Sequence, residues 1–441
     1  MDNTSSLTFV RPFDKGYIVN MACEIEIWKY CLNKKFPTAV NPKEHALILT
    51  EPPCTPTCIQ NDYNEVVFEE FSFDRYMRRP ASWFAAYEFA HINEAMAGSG
   101  NSYSSGSSGH GAGESDEVPL YTSYRVVDSE LVETWADVRF PRALTVMDSG
   151  FSFTHFFPYL DLRCRQSAIR RMNVGGKLLT NFLKEMVSYR QWNMMDEFAL
   201  INAAKERLCY VSDHYDADIR GSKSKPVTTV ALSNKLSSKR KPVTRRVRPS
   251  VVDLDGTPLR KMYVLPDFHT IMRPYVKPDG EKLMPHEQVL GMETERVAVP
   301  ELLFNPGDIG LAQAGLPETC HQSLDCLSEV EMRLCGQNIL CIGGNMHIRG
   351  LAPRFARELR RFVPDTIPVT VHVPGDPVNY SWRGASRFAR DEVLSGLNTP
   401  SPTPTAPGKR QATASTGGYM VTRQEYLESG HHYCNEKMNS W

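Results

Sequence analysis

Short apolar runs alternate with amphipathic stretches along most of the chain. Apolar runs bounded by turn residues predict buried strands, and apolar residues at helical spacing predict helices between them. The predicted elements are strands at 46–50, 144–147 and 338–342, and helices over 59–70, 178–187 and 351–362. This alternation is typical of an α/β fold with partly parallel sheets.

Three polar stretches interrupt the pattern. Residues 98–113 hold six Gly and six Ser, which predicts a flexible coil. Residues 220–250 are basic and too polar to pack. Residues 395–418 carry four prolines among Thr, Ser and Gly, and they are interpreted as a linker.

Composition limits the classes of protein. The 441 residues are 41% hydrophobic and 23% charged, which is typical of globular proteins and excludes full disorder. Apolar runs such as 339–342 are far too short to span a membrane, and the polar N-terminus is no secretory signal. The eleven cysteines are scattered, so we expect reduced thiols in an intracellular protein rather than disulfides or a zinc site.

The net charge of −1 conceals an asymmetry. Residues 220–248 contain ten Lys or Arg and no acid, while the remaining residues hold 40 basic and 51 acidic side chains. An acidic body with one basic loop predicts a nuclear import signal or a phosphate-binding patch, and a solvated loop is the alternative. The basic patch consists of Lys239, Arg240, Lys241, Arg245, Arg246 and Arg248.

The strongest local motif is Asp148-Ser149-Gly150, directly after the predicted strand at 144–147. A carboxylate in this position can hold a hydrated magnesium ion, and the N–H groups of the turn can face a phosphate. An ordinary turn between strands is the alternative.

Gly343-Gly344-Asn345 follows the strand at 338–342, where glycines allow close approach of a nucleotide. Lys205 and Glu206 lie on a helix predicted over 202–211, where they either contact a nucleobase or ribose or form a solvated face.

Other chemistry is weakly indicated. His431, His432 and Cys434 offer metal-ligand atoms without a complete set. No Ser-His-Asp or Cys-His arrangement stands out, so no catalytic residue is predicted.

In their order, these motifs resemble the actin family. The resemblance rests on segments 9–30, 49–52, 146–155 (Val-Met-Asp-Ser-Gly-Phe-Ser-Phe-Thr-His), 205–211, 343–345 and 382–384. It implies a two-lobed, ribonuclease H-like α/β fold in which 146–155 is the second phosphate loop. The residues it assigns to the nucleotide are Asp148, Ser149, Gly150, Lys205, Glu206, Gly343, Gly344 and Asn345, with Asp148 on magnesium.

Segments 152–155, 173–181, 299–306 and 420–426 are more similar to a nuclear branch of actin-related proteins than to actin. That branch implies a subunit of a Swr/SRCAP-type chromatin remodeller, which exchanges the Z variant of histone 2A into nucleosomes. The implied partners are the motor subunit, a small zinc-finger subunit and, indirectly, the nucleosome or its histones. DNA contact through the basic loop is a further hypothesis. The implied location is the nucleus, with the cytoplasm as an alternative.

The departures from the family pattern concern catalysis. The first phosphate loop, and the small subdomain built on it, have no counterpart in the sequence, so we expect an N-terminally truncated fold; an incomplete gene model would give the same pattern. Phe151 and Ser152 stand where actin has Asp and Gly, and Ala81 stands where actin has the glutamine that orients water. We therefore expect a pseudo-ATPase, in which ATP with magnesium is at most a weakened ligand.

The resemblance also implies a division into subdomains. Residues 7–145, with an insertion near 98–130, form the remnant of subdomain 1, and 376–441 complete it with the linker at 395–418. Residues 146–176 and 312–375 form subdomain 3, and 177–311 form subdomain 4 with the basic insertion at 220–250. The rival functional class is an actin-like ATPase that changes shape on hydrolysis.

Overall fold

The computed structural model describes most of the chain outside the three polar stretches. The described residues are 10–98, 121–127, 130–134, 138–223, 227–229, 245–247, 253–254, 256–394 and 419–439. They divide into two compact units. The smaller unit contains Val174–Leu316 and Asn345–Phe355, and the larger unit contains the other described residues.

The secondary structure is mixed α/β, as predicted. The strands are β1 (Phe13–Asp14), β2 (Tyr17–Ile18), β3 (Ala46–Glu51), β4 (Arg75–Pro80), β5 (Tyr121–Val127), β6 (Glu130–Thr134), β7 (Ala143–Ser149), β8 (Thr154–Leu160), β9 (Arg163–Cys164), β10 (Arg170–Met172), β11 (Val227–Thr229), β12 (Arg245–Val247), β13 (Lys261–Val264), β14 (Tyr275–Lys277), β15 (Val289–Met292), β16 (Asn338–Ile342), β17 (Thr370–Pro374) and β18 (Val421–Thr422). The helices are α1 (Met21–Lys34), α2 (Thr57–Glu65), α3 (Ala81–Gly98), α4 (Gly176–Arg190), α5 (Phe198–Leu208), α6 (Tyr215–Lys223), α7 (Glu295–Glu301), α8 (Leu316–Leu324), α9 (Glu329–Gln337), α10 (Leu351–Leu359), α11 (Tyr380–Phe388) and α12 (Arg423–Asn439).

The main sheet of the larger unit has the strand order β10-β8-β7-β16-β17-β5-β6 among the described residues, with β9 paired to β8. Strand β16 runs parallel to both β7 and β17, which confirms the predicted parallel sheet. Both faces of a parallel sheet are covered, and β7 and β16 are accordingly buried along almost their whole length. Val146 and Leu340 are fully buried against Phe84 of α3 and Phe388 of α11.

A second sheet of the larger unit has the order β18-β4-β3. The strand predicted at 46–50 is present as β3, but the expectation that it is buried is wrong. It lies at the sheet edge, and Leu47, Ile48 and Leu49 are only half-buried. An apolar run specifies a strand, but it does not specify which neighbours cover that strand.

Strand β4 carries a buried charge that the sequence pattern does not predict. The Arg78 side chain is fully buried, and its guanidinium donates to the Oδ1 atoms of Asn64 (2.7 Å) and Asn435 (2.6 Å). Its Nε lies 3.2 Å from the Glu51 carboxylate. These contacts join β4 to β3, α2 and α12.

The smaller unit contains a β14-β13-β15 sheet and helices α4–α7. Arg296 is buried there, and its Nη2 pairs with Asp253 at 2.9 Å. The helix predicted over 202–211 ends earlier, at Leu208, because Tyr210 bridges to Arg349 in extended conformation.

Several predictions lie outside the described residues. They concern the coil at 99–113, the linker at 395–418, and Lys239, Arg240, Lys241 and Arg248 of the basic patch. Arg245 and Arg246 belong to β12, which pairs with β11, so part of the basic stretch has regular backbone structure. Strand β5 lies within the range assigned to the insertion near 98–130, and the subdomain assignment stays a prediction. In the described part of the chain, no helix is both long and apolar enough to cross a bilayer.

The buried His372 of β17 should make the stability of the folded chain measurably sensitive to acid. Burial lowers the pKa of its imidazole from 6.5 to about 4, so between these values the unfolded chain binds more protons than the folded chain. Stability should therefore fall as the pH drops through this window. We expect His372→Gln to lose about 2 kcal/mol less than the wild type between pH 7 and pH 5. Urea unfolding at both pH values measures this difference, and equal losses would contradict it.

Candidate functional site

Asp148 lies at the end of β7, next to the central strand of the main sheet. It pairs with Ile342 of β16 on one side and with His155 of β8 on the other. His155 in turn pairs with Arg171 of β10. Directly paired residues point to the same face of a sheet, so Asp148, His155 and Arg171 form a polar row across three strands.

Burial sets the charges in this row. It raises the pKa of the Asp148 carboxyl to about 6. Burial, together with the nearby Arg171 charge, lowers the pKa of His155 to about 4. At neutral pH the carboxylate is therefore mostly ionised and the imidazole is neutral. Burial is the only cause found for the Asp148 shift, and no hydrogen-bond donor to its carboxylate is found among the described residues, so Asp148 itself has the chemistry to take a hydrated cation.

The turn after Asp148 uses part of its hydrogen-bonding capacity internally. The N–H of Gly150 donates to the carbonyl oxygen of Phe153 (3.0 Å), and the Ser149 and Thr154 hydroxyls lie 3.0 Å apart. A phosphate held by this turn would have to compete for that N–H. As it stands, the turn fits a cation at Asp148 better than it fits a phosphate.

Two phenylalanines surround the same turn, and each has an arginine over its ring. The guanidinium of Arg11 lies 5.5 Å from the ring centroid of Phe151, and that of Arg171 lies 4.8 Å from Phe153. Phe151 is 45% exposed, so its ring adds apolar bulk at the surface of the turn. This bulk stands where the resemblance implies an acidic residue.

Gly343 brings the end of β16 against this turn. Its φ is +98°, and a Cβ at this position would overlap the Ser149 carbonyl oxygen and lie 3.1 Å from Asp148 Oδ1. Its N–H donates to the carbonyl oxygen of Pro377 (3.0 Å). Gly344 has open space around it. The loop at 148–150 and the loop at 343–345 therefore contact each other at Gly343.

The two glycines give a matched pair of variants. We expect Gly343→Ala to destabilise the chain by about 2 kcal/mol, because alanine is strained at this φ and its methyl group meets backbone. We expect Gly344→Ala to change stability by less than about 0.5 kcal/mol. Chemical denaturation of both variants measures the difference. Equal stabilities would show that Gly343 is not a close contact.

Lys205, Glu206 and Asn345 belong to the smaller unit, whereas the other residues assigned to the nucleotide belong to the larger unit. The solvated-face hypothesis is wrong for Lys205, which is 5% exposed, although Glu206 is exposed. The Lys205 ammonium donates to Gly176 O (3.1 Å), Thr180 Oγ1 (2.9 Å) and Asn202 Oδ1 (2.9 Å).

An ammonium has three donors, so these contacts use the full capacity of Lys205. Burial also lowers its pKa. The Glu206 carboxylate accepts from Asn202 Nδ2 (2.7 Å). Asn345 is buried, and its carbonyl oxygen accepts from the Ile348 N–H (2.9 Å). In this arrangement Lys205 orders α4 against α5.

Arg171 is the site residue that the motifs did not identify. The only signal for Arg171 is its place in β10, a short strand soon after the His155 strand with which it pairs. The weak terminal motif gives no site: His432 lies 3.9 Å from Glu436 on the exposed side of α12, while Cys434 is buried. No group of three potential metal ligands occurs within the described ranges.

Comparison with known proteins agrees with these motifs. A sequence model of the actin family matches residues 1–398. Actin-related protein 6 of Drosophila melanogaster is 32% identical over 88% of this chain and 80% of its own length. The proteins of the same name from Neurospora crassa and Arabidopsis thaliana are each 31% identical, over 97% and 86% of this chain and 80% and 78% of their own lengths. The chain therefore belongs to the actin family.

Proposed function

We propose that this chain is a non-catalytic actin-related subunit of an ATP-dependent chromatin-remodelling complex. The complex exchanges the Z variant of histone 2A into nucleosomes, and the chain acts in it as a scaffold in transcription regulation. The observation that carries the proposal is the similarity to actin-related protein 6 of several organisms along most of the chain.

The chemistry of the candidate site supports a non-catalytic role. The Gly150 N–H is engaged within its own turn, and Phe151 adds bulk beside Asp148. All three donors of Lys205 are bonded to the protein. Phosphoryl transfer depends on free, preorganised donors around the phosphates, so these features argue against efficient hydrolysis.

The proposed partners are the motor subunit of the remodeller and a small zinc-finger subunit, with indirect contact to the nucleosome. The proposed location is the nucleus, with the cytoplasm as a second one. The basic stretch at 220–248 suits nuclear import or contact with DNA phosphates, because it concentrates ten cations in 29 residues.

Affinity purification of the tagged full-length chain from nuclear extract tests the scaffold role. We expect mass spectrometry to identify a remodelling ATPase and a zinc-finger subunit in stoichiometric amounts. A purified variant that lacks 220–250, added to nuclear extract so that import is not required, should still capture these subunits if that stretch serves only import or DNA contact. Recovery of the full chain without any remodeller subunit would refute the proposal.

An actin-like ATPase is the second candidate, and the ionised Asp148 carboxylate beside Gly343 favours it. Asp148 would then hold magnesium, with Ser149, Gly150, Gly343 and Gly344 near the nucleotide. The test measures phosphate release from ATP by the wild type and by Asp148→Asn. We expect equal rates at background level. Faster release by the wild type would support the ATPase.

A further inference from the structure

Two neighbouring arginines at the end of β4 are both buried but differ in their partners. Arg78 has no exposed surface, and Arg79 is 2% exposed. Arginine is rarely buried unless it is paired, because an unpaired charge in the interior is costly. The hydrogen bonds of the two guanidiniums can therefore be compared directly.

Arg78 is compensated. It donates to Asn64 and Asn435, and its Nε, which makes no hydrogen bond among the described residues, lies 3.2 Å from the Glu51 carboxylate as an ion pair. The same Glu51 oxygen also accepts from Gln60 Nε2 at 3.2 Å. Burial raises the pKa of Glu51, and the Arg78 charge opposes that shift. The Glu51 carboxylate thus already interacts with both Arg78 and Gln60.

Arg79 is not compensated. Its Nε and Nη1 atoms are buried, and neither has a hydrogen-bond partner in the described part of the chain. Its guanidinium lies 5.8 Å from the ring centroid of Trp83, in the first turn of α3. The charge that most favours its ionised form is that of Glu51, and burial still lowers its pKa to about 10. Glu51 therefore influences both buried guanidiniums, but the structure pairs it with Arg78.

We infer that Arg79 is the anchor of a binding site for a single oxyanion, a carboxylate or a phosphate group. A guanidinium is suited to both, because it offers planar, charged donors. Helix α3 begins two residues later, at Ala81, and the positive end of its dipole also favours an anion there. Tyr419, which lies near enough to Arg79 to influence its electrostatics, is 44% exposed, so the cluster reaches close to the surface. This inference does not depend on the proposed function.

Thermal unfolding of the full-length chain tests the site. Inorganic phosphate and acetate are titrated separately at pH 7, each replacing chloride at constant ionic strength. We expect the Tm of the wild type to rise and saturate, by about 2–4 °C, with at least one anion. Saturation by phosphate alone indicates a phosphate ligand, and saturation by acetate indicates a carboxylate such as an acidic side chain of a partner. The Tm of Arg79→Met should follow only the small drift that the replacement of chloride causes.

The neighbouring arginine supplies the control. Without added anion, we expect Arg79→Met to be at least as stable as the wild type, because it removes an unpaired buried charge. Arg78→Met should be clearly less stable, because Glu51, Asn64 and Asn435 lose their partner. Arg79→Lys should weaken the saturating response at least tenfold in midpoint concentration. Identical responses of wild type and Arg79→Met to both anions would overturn the inference, and so would equal destabilisation by Arg78→Met and Arg79→Met.

Discussion

Replacing Gly384 by alanine is expected to destabilise the chain by about 3 kcal/mol, although alanine is the better helix former. Gly384 lies in α11 where this helix crosses α3. A Cβ there would overlap the carbonyl oxygen of Phe84 and lie 3.2 Å from the Cβ of Glu88. Since the obstacle is backbone at the centre of a packed core, the helices must separate to admit the methyl group. Urea unfolding measures the loss.

Ser386 in the same helix is the matched control. Ser386→Ala adds no volume, and we expect it to change stability by less than about 0.5 kcal/mol. If Gly384→Ala were as stable as the wild type, the close crossing of α11 and α3 would be wrong. In the sequence, the Trp-Arg-Gly motif at 382–384 was only a point of family resemblance. The close crossing of α11 and α3 now explains why its last residue is glycine.

The second large effect is expected in the smaller unit, where Arg354→Met should cost about 3–5 kcal/mol. Arg354 donates to both oxygens of Glu301, at 2.6 and 2.8 Å, and to the carbonyl oxygen of Ser212 at 3.0 Å. Glu301 is 1% exposed, so the single substitution leaves a carboxylate buried without its counter-ion. Denaturant unfolding monitored by a probe in the smaller unit measures the loss.

The double variant Glu301→Leu/Arg354→Met separates charge from packing. Removing both charges should recover most of the lost stability, because the cost of the single variant is the unpaired carboxylate. A double variant that is no more stable than Arg354→Met would show instead that the packing of Arg354 against the Phe304 ring, 4.2 Å away, accounts for the effect.

The sequence predicts well those strands and helices whose arrangement of apolar residues directly reflects which of their faces are buried. The run at 144–147 is apolar on both faces, so it identifies β7 as a central strand, and the helical spacing at 178–187 identifies α4. The run at 46–50 looks the same but lies at an edge, because coverage depends on residues that are remote in sequence.

The candidate site was predicted in part. Asp148 and Gly343 were each placed correctly at the end of a strand. The structure adds that the two strands are parallel neighbours, which finish at the same edge of the sheet. The burial of Lys205 was not predictable. Its acceptors are the Gly176 carbonyl oxygen and the side chains of Thr180 and Asn202, and no sequence pattern marks these groups as partners of a buried lysine. The burial of Arg78 and Arg79 contradicts the usual exposure of arginine, and only tertiary contacts reveal it.

The Arg78 cluster has a consequence for synthesis of the chain. Arg78 leaves the ribosome 357 residues before Asn435, its partner in α12. At 5–20 residues per second this interval lasts roughly 20–70 s. The larger unit cannot complete its core in that time, whereas the smaller unit needs only residues up to 355. The nascent chain therefore passes through a state with one unit closed and the other still open, and it should depend on chaperones until its last helix has emerged.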